Sequence, residues 1–312
     1  MYRTYKVAIV VPAFNEQERI AFTLAGIPSF ADAVYVVDDA SIDRTADIVR
    51  DFVACHPVLG GSNPWPATGN LETVTPTLRA GELRTQNAGH RTQRVELIQH
   101  AVNRGVGAAI VTGYRHALHD DIDIAVVMAG DNQMDPRELP GLLDPIVDGR
   151  ADYTKGDRTS SRVHLVGMPR WRRIGNRLLC WLTCIAIGTT HVKDPQNGYT
   201  ASTRDLLAEL PLDTLYPRYG YCNQMLAWVS VYRKRLVEVP MPARYLGEKS
   251  KIRYRTYIPT VLWLLMRLTA ARLVLWRTAG PMRPHATGGV FARRVDVPSH
   301  VSRPAPVVAR EN

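Results

Sequence analysis

The chain is predicted to be an α/β protein, with a Rossmann-like, mostly parallel sheet flanked by helices. Three observations carry that prediction. Short apolar, β-branched runs alternate with stretches of helical spacing through most of the sequence. Three of those runs empty directly into polar, acid-bearing turns, at Pro12–Glu16, Asp38–Thr45 and Gly130–Asp135. Hydrophobic residues make up 46% of the 312, enough to bury one large core. Strands alternating with helices require parallel pairing through right-handed crossovers.

Taken in order, Val7–Val11 reads as the first strand, ended by Pro12, and Ile20, Leu24 and Ile27 give Glu16–Ile27 a helical face. Ala33–Val37 repeats the strand pattern and leads to a helix around Asp43–Val53, with Ser41 as its N-cap. From His56 to Arg94 the composition turns to Gly, Pro, Asn, Thr and Gln without apolar period, which predicts a mobile surface insertion (56–94). Val95–Gln99 is the third strand, and Ala108–Leu118 a small-residue helix able to pack closely on a sheet. Ile124–Met128 is a buried strand; Asp135 and Pro136 form a turn that caps a helix over Leu139–Val147. Ala151–Lys155 is a short strand ending at Gly156-Asp157-Arg158. Trp171–Ile187 is a helix opened by Arg170, Arg172, Arg173 and Arg177, which oppose its dipole and call for an anionic partner or open solvent. Asp194–Gly198 is a turn, Tyr221–Val231 a helix and Leu236–Val239 the last strand; there is no internal repeat.

Lys and Arg total 39 against 29 for Asp and Glu, a formal charge of +10. Such a chain attracts anions: a nucleotide, a lipid phosphate, a membrane surface or nucleic acid. Nucleic-acid binding would interleave aromatic residues with the basic patch, and only Tyr254 and Tyr257 do so, which places nucleic acid outside the expected partners. The four cysteines (Cys55, Cys180, Cys184, Cys222) lack CxxC or zinc-finger spacing, so free thiols in a reducing cytoplasm are expected, with Cys180 and Cys184 in the core. Met1–Lys6 runs straight into a strand with no apolar targeting segment, so the catalytic part, 1–250, is expected on the cytoplasmic side. Ile258–Trp276 is apolar apart from Arg267 and Arg272, and is flanked by Arg253, Arg255 and Arg277. Two arginines, at roughly 2.5–3.5 kcal/mol each on insertion scales, disfavour a spanning helix. An amphipathic helix in the membrane interface (251–279) fits better than a core or dimer helix; beyond Gly280 the Pro, Arg, Val and Ala tail is expected to be disordered. A homo-oligomer is compatible with these features.

Asp131 and Gln133, two apart on an extended segment at a strand end, offer a carboxylate and an amide oxygen on one side. Oxygen donors suit Mg²⁺ or Mn²⁺ holding substrate phosphates; the same residues also suit a plain turn. Together, Pro12-Ala13-Phe14-Asn15-Glu16, Val37-Asp38-Asp39-Ala40-Ser41-Ile42-Asp43-Arg44-Thr45 and Asp131-x-Gln133 would converge on one crevice. This set resembles the inverting family 2 glycosyltransferases of GT-A fold, and among them the dolichol- or polyprenyl-phosphate sugar synthases, over about Tyr5 to Lys251.

The resemblance implies that Pro12, Ala13, Phe14 and Glu16 contact the nucleotide, and that Val37 and Asp39 hold base and ribose. It implies that Ala129, Gly130 and Asp131 line the sugar nucleotide, and that Asp131 and Gln133 ligate Mg²⁺ or Mn²⁺. Ala129 departs from the family's Asp-x-Asp-x-Gln pattern, standing where the first Asp is usual, and leaves the ion fewer protein ligands. Arg158 matches an Arg that meets phosphate. Arg244 and Lys251, in a loop one residue longer than the family's, match Arg and Lys that reach donor or acceptor phosphates, where fork and point charge both suit a diphosphate. The implied reaction moves a sugar from a UDP- or GDP-linked nucleotide-sugar to a polyprenyl phosphate at the cytoplasmic membrane face. A lipid phosphate needs no strong base. A hydroxyl acceptor would, and Asp194 is then the candidate; His116, His119 and His164 stand in no base motif. An inactive binder is the remaining reading.

Overall fold

The computed structural model describes residues 1–55, 93–160, 170–189, 192–242 and 259–270. Its elements are β1 (Val7–Ala13), α1 (Ile20–Gly26), β2 (Ala33–Asp38), α2 (Thr45–Cys55), β3 (Arg94–Gln99), α3 (Val106–His119), β4 (Ile124–Val127), α4 (Leu139–Val147), β5 (Tyr153–Asp157), α5 (Arg170–Ile187), β6 (Thr200–Thr203), α6 (Arg204–Glu209), α7 (Tyr221–Val231) and β7 (Leu236–Pro240). A further helix, α8, covers 259–270.

The strands form one sheet in the order β3-β2-β1-β4-β6-β5-β7. β1 lies parallel to β2 and β4, β2 to β3, and β5 to β7, while β6 runs antiparallel to β4 and β5. Six strands therefore end at one edge, and β6 begins there. β1, β2 and β4 are buried along their whole length, as unalternating apolar runs in the middle of a parallel sheet must be. On one face Val7, Ile9 and Val11 pack with Ile20, Leu24, Val36 and Val49. On the other, Ala8 and Val10 pack with Tyr35, Ile110 and Tyr114. α3 lies so close that a Cβ on Gly113 would sit 2.2 Å from Val10 Cγ1, which is what its small residues serve.

Several boundaries differ from the sequence reading. β1 continues through Pro12 to Ala13. The carbonyls of Val10 and Pro12 accept from Met128 N (2.9 Å) and Gly130 N (3.1 Å), but Pro12 has no N–H for the rung between them, so pairing with β4 loosens beyond Val127. α1 begins at Ile20, its start tied by Ile20 N to Glu16 O at 2.9 Å. α2 begins at Thr45, and Ser41 is not its cap: Asp43 accepts from Thr45 N at 3.0 Å, while Ser41 Oγ accepts from Asn15 N. Gln93 and Arg94, placed in the insertion by composition, belong to the fold. Arg94 opens β3, its guanidinium bridging Asp120 and Glu96, and buried Gln93 donates to Pro28 O. The rest of 56–94 lies outside the described residues, as does the tail beyond 270. β5 runs Tyr153–Asp157, two residues later than expected, with Gly156 wedged against Asn197 and Met241. Asp135 does cap the turn at Pro136–Glu138, accepting from Arg137 N. Cys180 and Cys184 are half-buried at the core margin rather than inside it; among the described thiols Cys222 is the buried one.

Candidate active site

Chain order reverses between β1 and β4: β2 and β3 extend to one side of β1, and β4 lies on the other. In an open α/β sheet, that switch point leaves a crevice outside the carboxyl ends of the two strands. Pro12–Glu16 and Ala129–Gln133 flank it. The residues placed by sequence at the ends of β1, β2 and β4 are thus brought together, with Ala13 in register with Asp38 and Asp39 N donating to Ala13 O at 2.9 Å.

Much of the polar sequence at the β1 and β2 ends knits the two loops together. Asn15 N donates to Ser41 Oγ (2.9 Å) and Ile42 N to Asn15 Oδ1 (3.0 Å). Glu16 N donates to Thr45 Oγ1 (2.8 Å), and Gln17 N to Asp43 Oδ2 (3.2 Å). Burial opposes ionisation of Asp43, yet the hydrogen bonds from Thr45 and Gln17 prevail and hold its carboxyl below the ordinary value. Three non-glycine residues adopt left-handed backbone at these strand ends: Asn15 (φ 54°), Ala40 (φ 61°) and Asn132 (φ 58°). Such strain concentrates at functional loops.

Asp39 is 3% exposed, and its oxygens are engaged by the β3–α3 loop: Oδ1 accepts from Arg104 N (2.8 Å) and Oδ2 from Gly105 N (2.7 Å). His100 Nδ1 lies 2.8 Å from Oδ1, and His100 Nε2 lies 2.9 Å from Thr112 Oγ1. Asp39 therefore shapes the loop beside the expected base site. Val37 is fully buried in β2, and Phe14 is 39% exposed. Gly130 is set by packing, since a Cβ would meet Ile20 Cδ1 at 3.0 Å and Ala13 Cβ at 3.3 Å; Thr23 Oγ1 donates to its carbonyl.

Asp131 Oδ1 accepts from Gln133 N at 3.1 Å, an Asx-type turn around left-handed Asn132. Tyr219 stands nearby, half-exposed; partial burial, then the charges of Asp131 and Glu16, raise its phenol above the ordinary value. Asp131, Glu16 and Tyr219 thus share one neighbourhood. The Asp131 carboxylate and Gln133 amide oxygens form a hard donor set that fits Mg²⁺ or Mn²⁺ completed by diphosphate oxygens, while the neighbouring Met134 sulfur lies 3.2 Å from Ala129 N. Among the described residues no group of three or more His, Cys, Asp or Glu side chains could hold a metal unaided, consistent with Ala129 in place of a carboxylate.

Further along the same edge, Arg158 follows β5 and closes on Asp194: Nε to Oδ2 at 2.7 Å, Nη2 to Oδ1 at 3.1 Å, and Arg158 N to Oδ2 at 3.2 Å. Asp194 is 5% exposed; burial opposes its charge, but Arg158 outweighs it and holds the carboxyl below the ordinary value. That makes Asp194 a weak base. Behind the pair, Glu238 accepts from Lys193 N and Asp194 N, and burial pushes its carboxyl up to about 7. Fully buried Lys155 donates to Asn197 O. Arg244 and Lys251 lie outside the described residues.

Sequence reasoning missed Tyr219, His100, Lys155 and Glu238. Lys155 lies in β5 beside Glu238 of β7, Tyr219 in the 216–220 segment and His100 just after β3, and no sequence pattern ties them to the loops of β1, β2 and β4. One signal existed: Gly105 and Gly107 flag a close approach, met here by Pro217 O and Tyr216 O, 2.3 and 2.2 Å from their built Cβ positions.

The comparisons with known proteins agree with this architecture. The profile described as Glycosyl transferase family 2 matches residues 8–63 and 82–210, over half of the chain, and skips a stretch inside the 56–94 segment. The UDP-N-acetylglucosamine–dolichyl-phosphate N-acetylglucosaminyltransferase of Methanococcus voltae is 25% identical over 240 residues, covering 77% of this chain and 86% of the relative. The undecaprenyl-phosphate mannosyltransferase of Micrococcus luteus is 28% identical over 248 residues, covering 78% and 86%. Among solved structures, glucosyl-3-phosphoglycerate synthase from Mycobacterium tuberculosis in complex with UDP superposes with a TM-score of 0.53 at 18% identity, over 86% of this chain and 80% of that one; it shares the fold. The same neighbour was crystallised with Mn²⁺ or Mg²⁺ together with UDP. With its β1, β2 and β4 loops all inside the matched ranges, the chain belongs to glycosyl transferase family 2 and is a glycosyltransferase.

Proposed function

We propose that the chain transfers a sugar from a UDP- or GDP-linked donor to a polyprenyl phosphate while resting on a membrane surface. The observation that carries the lipid acceptor is an exposed apolar face shared by two packed helices. Leu178, Trp181 and Ile185 on α5 and Leu262, Trp263 and Met266 on α8 are 38–64% exposed, and Val261 and Leu265 pack α8 against the α5 side through Ala186, Leu179 and Leu182. Arg267 lies over the Trp263 ring, 5.6 Å from its centroid, the pairing expected at headgroup level. Among the described residues no helix is long and apolar enough to cross a membrane, so the face would lie on the bilayer. The named relatives act on dolichyl or undecaprenyl phosphate, which agrees with this reading.

In the proposed reaction the nucleotide lies across the β1 and β2 ends against Pro12, Ala13, Phe14, Glu16, Val37 and Asp39. Ala129, Gly130 and Asp131 border the sugar and diphosphate. Asp131 and Gln133 would hold the divalent ion, which supplies charge neutralisation on the leaving diphosphate. Arg244 and Lys251 of the basic loop would add fixed positive charge where negative charge grows, and Arg158, its charge paired with Asp194, would contribute hydrogen-bond donors. The acceptor phosphate is already anionic near neutral pH, so positioning replaces base catalysis. The Arg158–Asp194 pair favours this acceptor over a hydroxyl, which would need Asp194 as the proton acceptor that Arg158 makes it unfit to be.

The test incubates full-length protein with Mg²⁺ or Mn²⁺ and a panel of UDP- and GDP-sugars, with and without a short polyprenyl phosphate, and reads products by mass spectrometry. A lipid-phosphate-linked sugar is the expected product. Nucleoside diphosphate release indifferent to the lipid would overturn the acceptor assignment.

A further inference from the structure

We propose that Cys180 and Cys184 form a reactive dithiol site that takes small-molecule disulfides and closes into a reversible intrahelical disulfide coupled to the Arg158–Asp194 pair. The two thiols stand one helical turn apart on α5, on the side facing the 192–194 segment rather than the exposed Trp181 face, and both are half-buried, so a small reagent can reach them. Both donate to the same acceptor: Cys180 Sγ lies 3.2 Å and Cys184 Sγ 3.3 Å from Val192 O, with Lys193 O 3.4 Å from Cys180 Sγ. The shared acceptor places both sulfurs on the same side of α5.

The two thiols are electrostatically linked. The hydrogen bond between the two thiols outweighs burial and lowers the Cys184 thiol below its ordinary value. Cys180, beside Cys184 and the charges of Glu238 and Asp194, is raised. One sulfur attacks as the thiolate, and the other resolves. When the first is Cys184, it loses its proton to solvent and attacks one sulfur of a disulfide RSSR, giving Cys184–S–S–R and a thiolate that is protonated as RSH. The Cys180 sulfur, its proton also lost, then attacks Cys184 Sγ and expels the second RSH. Two thiols and one RSSR become one protein disulfide and two RSH, with no other oxidant required.

Helix neighbours four apart hold their Cβ atoms about 5–6 Å from each other, and a disulfide needs about 3.5–4.5 Å, so the last turn of α5 must tighten. It can, since α5 ends three residues later at Ile187. A bond formed against such resistance is easily reduced, as a reversible site requires. Closure withdraws both S–H donors from Val192 and Lys193, next to the Asp194 that clamps Arg158.

Peptide mapping reads the site without reference to activity. Cys180 and Cys184 share one tryptic peptide, Leu178–Lys193. Full-length protein exposed to oxidised glutathione near neutral pH, then alkylated, is expected to yield this peptide two hydrogens lighter and unalkylated, restored by dithiothreitol. Either single variant, Cys180→Ser or Cys184→Ser, should instead trap a glutathione adduct on the remaining cysteine of the pair. Hydrogen exchange at 192–199 should quicken on oxidation and return on reduction. Full alkylation of both cysteines after oxidation, or no adduct in either serine variant, would overturn the site; unchanged exchange at 192–199 would overturn the coupling.

Discussion

Asp131 is the residue on which the proposed chemistry turns, because Ala129 stands where a second acid would help it and its charge acts on Tyr219 together with that of Glu16. Asp131→Asn keeps the Asx turn to Gln133 N and removes the charge. Transfer should fall on the order of a hundredfold or more with the circular dichroism spectrum unchanged; undiminished turnover would move the metal site elsewhere. Ala40 presents a separate case. Its left-handed backbone costs roughly 1–2 kcal/mol for an L-residue, against roughly 0.5–1 kcal/mol for glycine's extra chain entropy. Ala40→Gly should therefore raise stability by up to about 1 kcal/mol in urea unfolding, and a loss of stability would show that the methyl packs usefully. Motif residues were legible in the sequence because strand ends are written as apolar run then acid, but their division of labour was not. Asp39 and Asp43 hold loops, and only hydrogen-bond geometry shows which acids are spent that way.

At the scale of elements, α5 and α8 present the apolar face. Trp181→Ser combined with Trp263→Ser should lower association with anionic vesicles at least tenfold in sedimentation while leaving the melting temperature near that of the parent, since both rings are more than half exposed. A melting temperature that drops steeply would mean the face is core to an assembly. α3 carries the opposite constraint. Gly107→Ala drives a methyl into Tyr216 O and should cost about 1–3 kcal/mol, visible as a lower denaturation midpoint. The small-residue character of α3 was readable as close packing. The pairing of α5 with α8 was not, because α5 reads as an apolar helix with a basic start, the 251–279 segment as an amphipathic one, and nothing in the sequence says which helices share a face.

For the whole molecule, the edge beyond β5 and β7 sets the pH response. Glu238 titrates about 7 in the fold against an ordinary carboxyl near 4.5, so its contribution to stability is complete below the unfolded value and is lost as pH rises through about 7. Asp194, held low by Arg158, contributes above the ordinary carboxyl range and loses that contribution as pH falls through its depressed value. Glu238→Gln should flatten the decline in stability between about pH 4.5 and 7 in thermal melts at fixed ionic strength; an unaltered profile would assign that decline to other groups. The amino-acid order by itself determined the α/β class, the mostly parallel pairing and the three loops that converge on one crevice. Period, turn chemistry and β-α alternation act over a few residues, and the crossover rule does the rest. Only the tertiary structure decided that β6 runs antiparallel between β4 and β5, that Asp194 is spent on Arg158, and that Tyr219 stands by Asp131. These are meetings of segments distant in sequence, fixed by burial and charge pairing that no local pattern encodes.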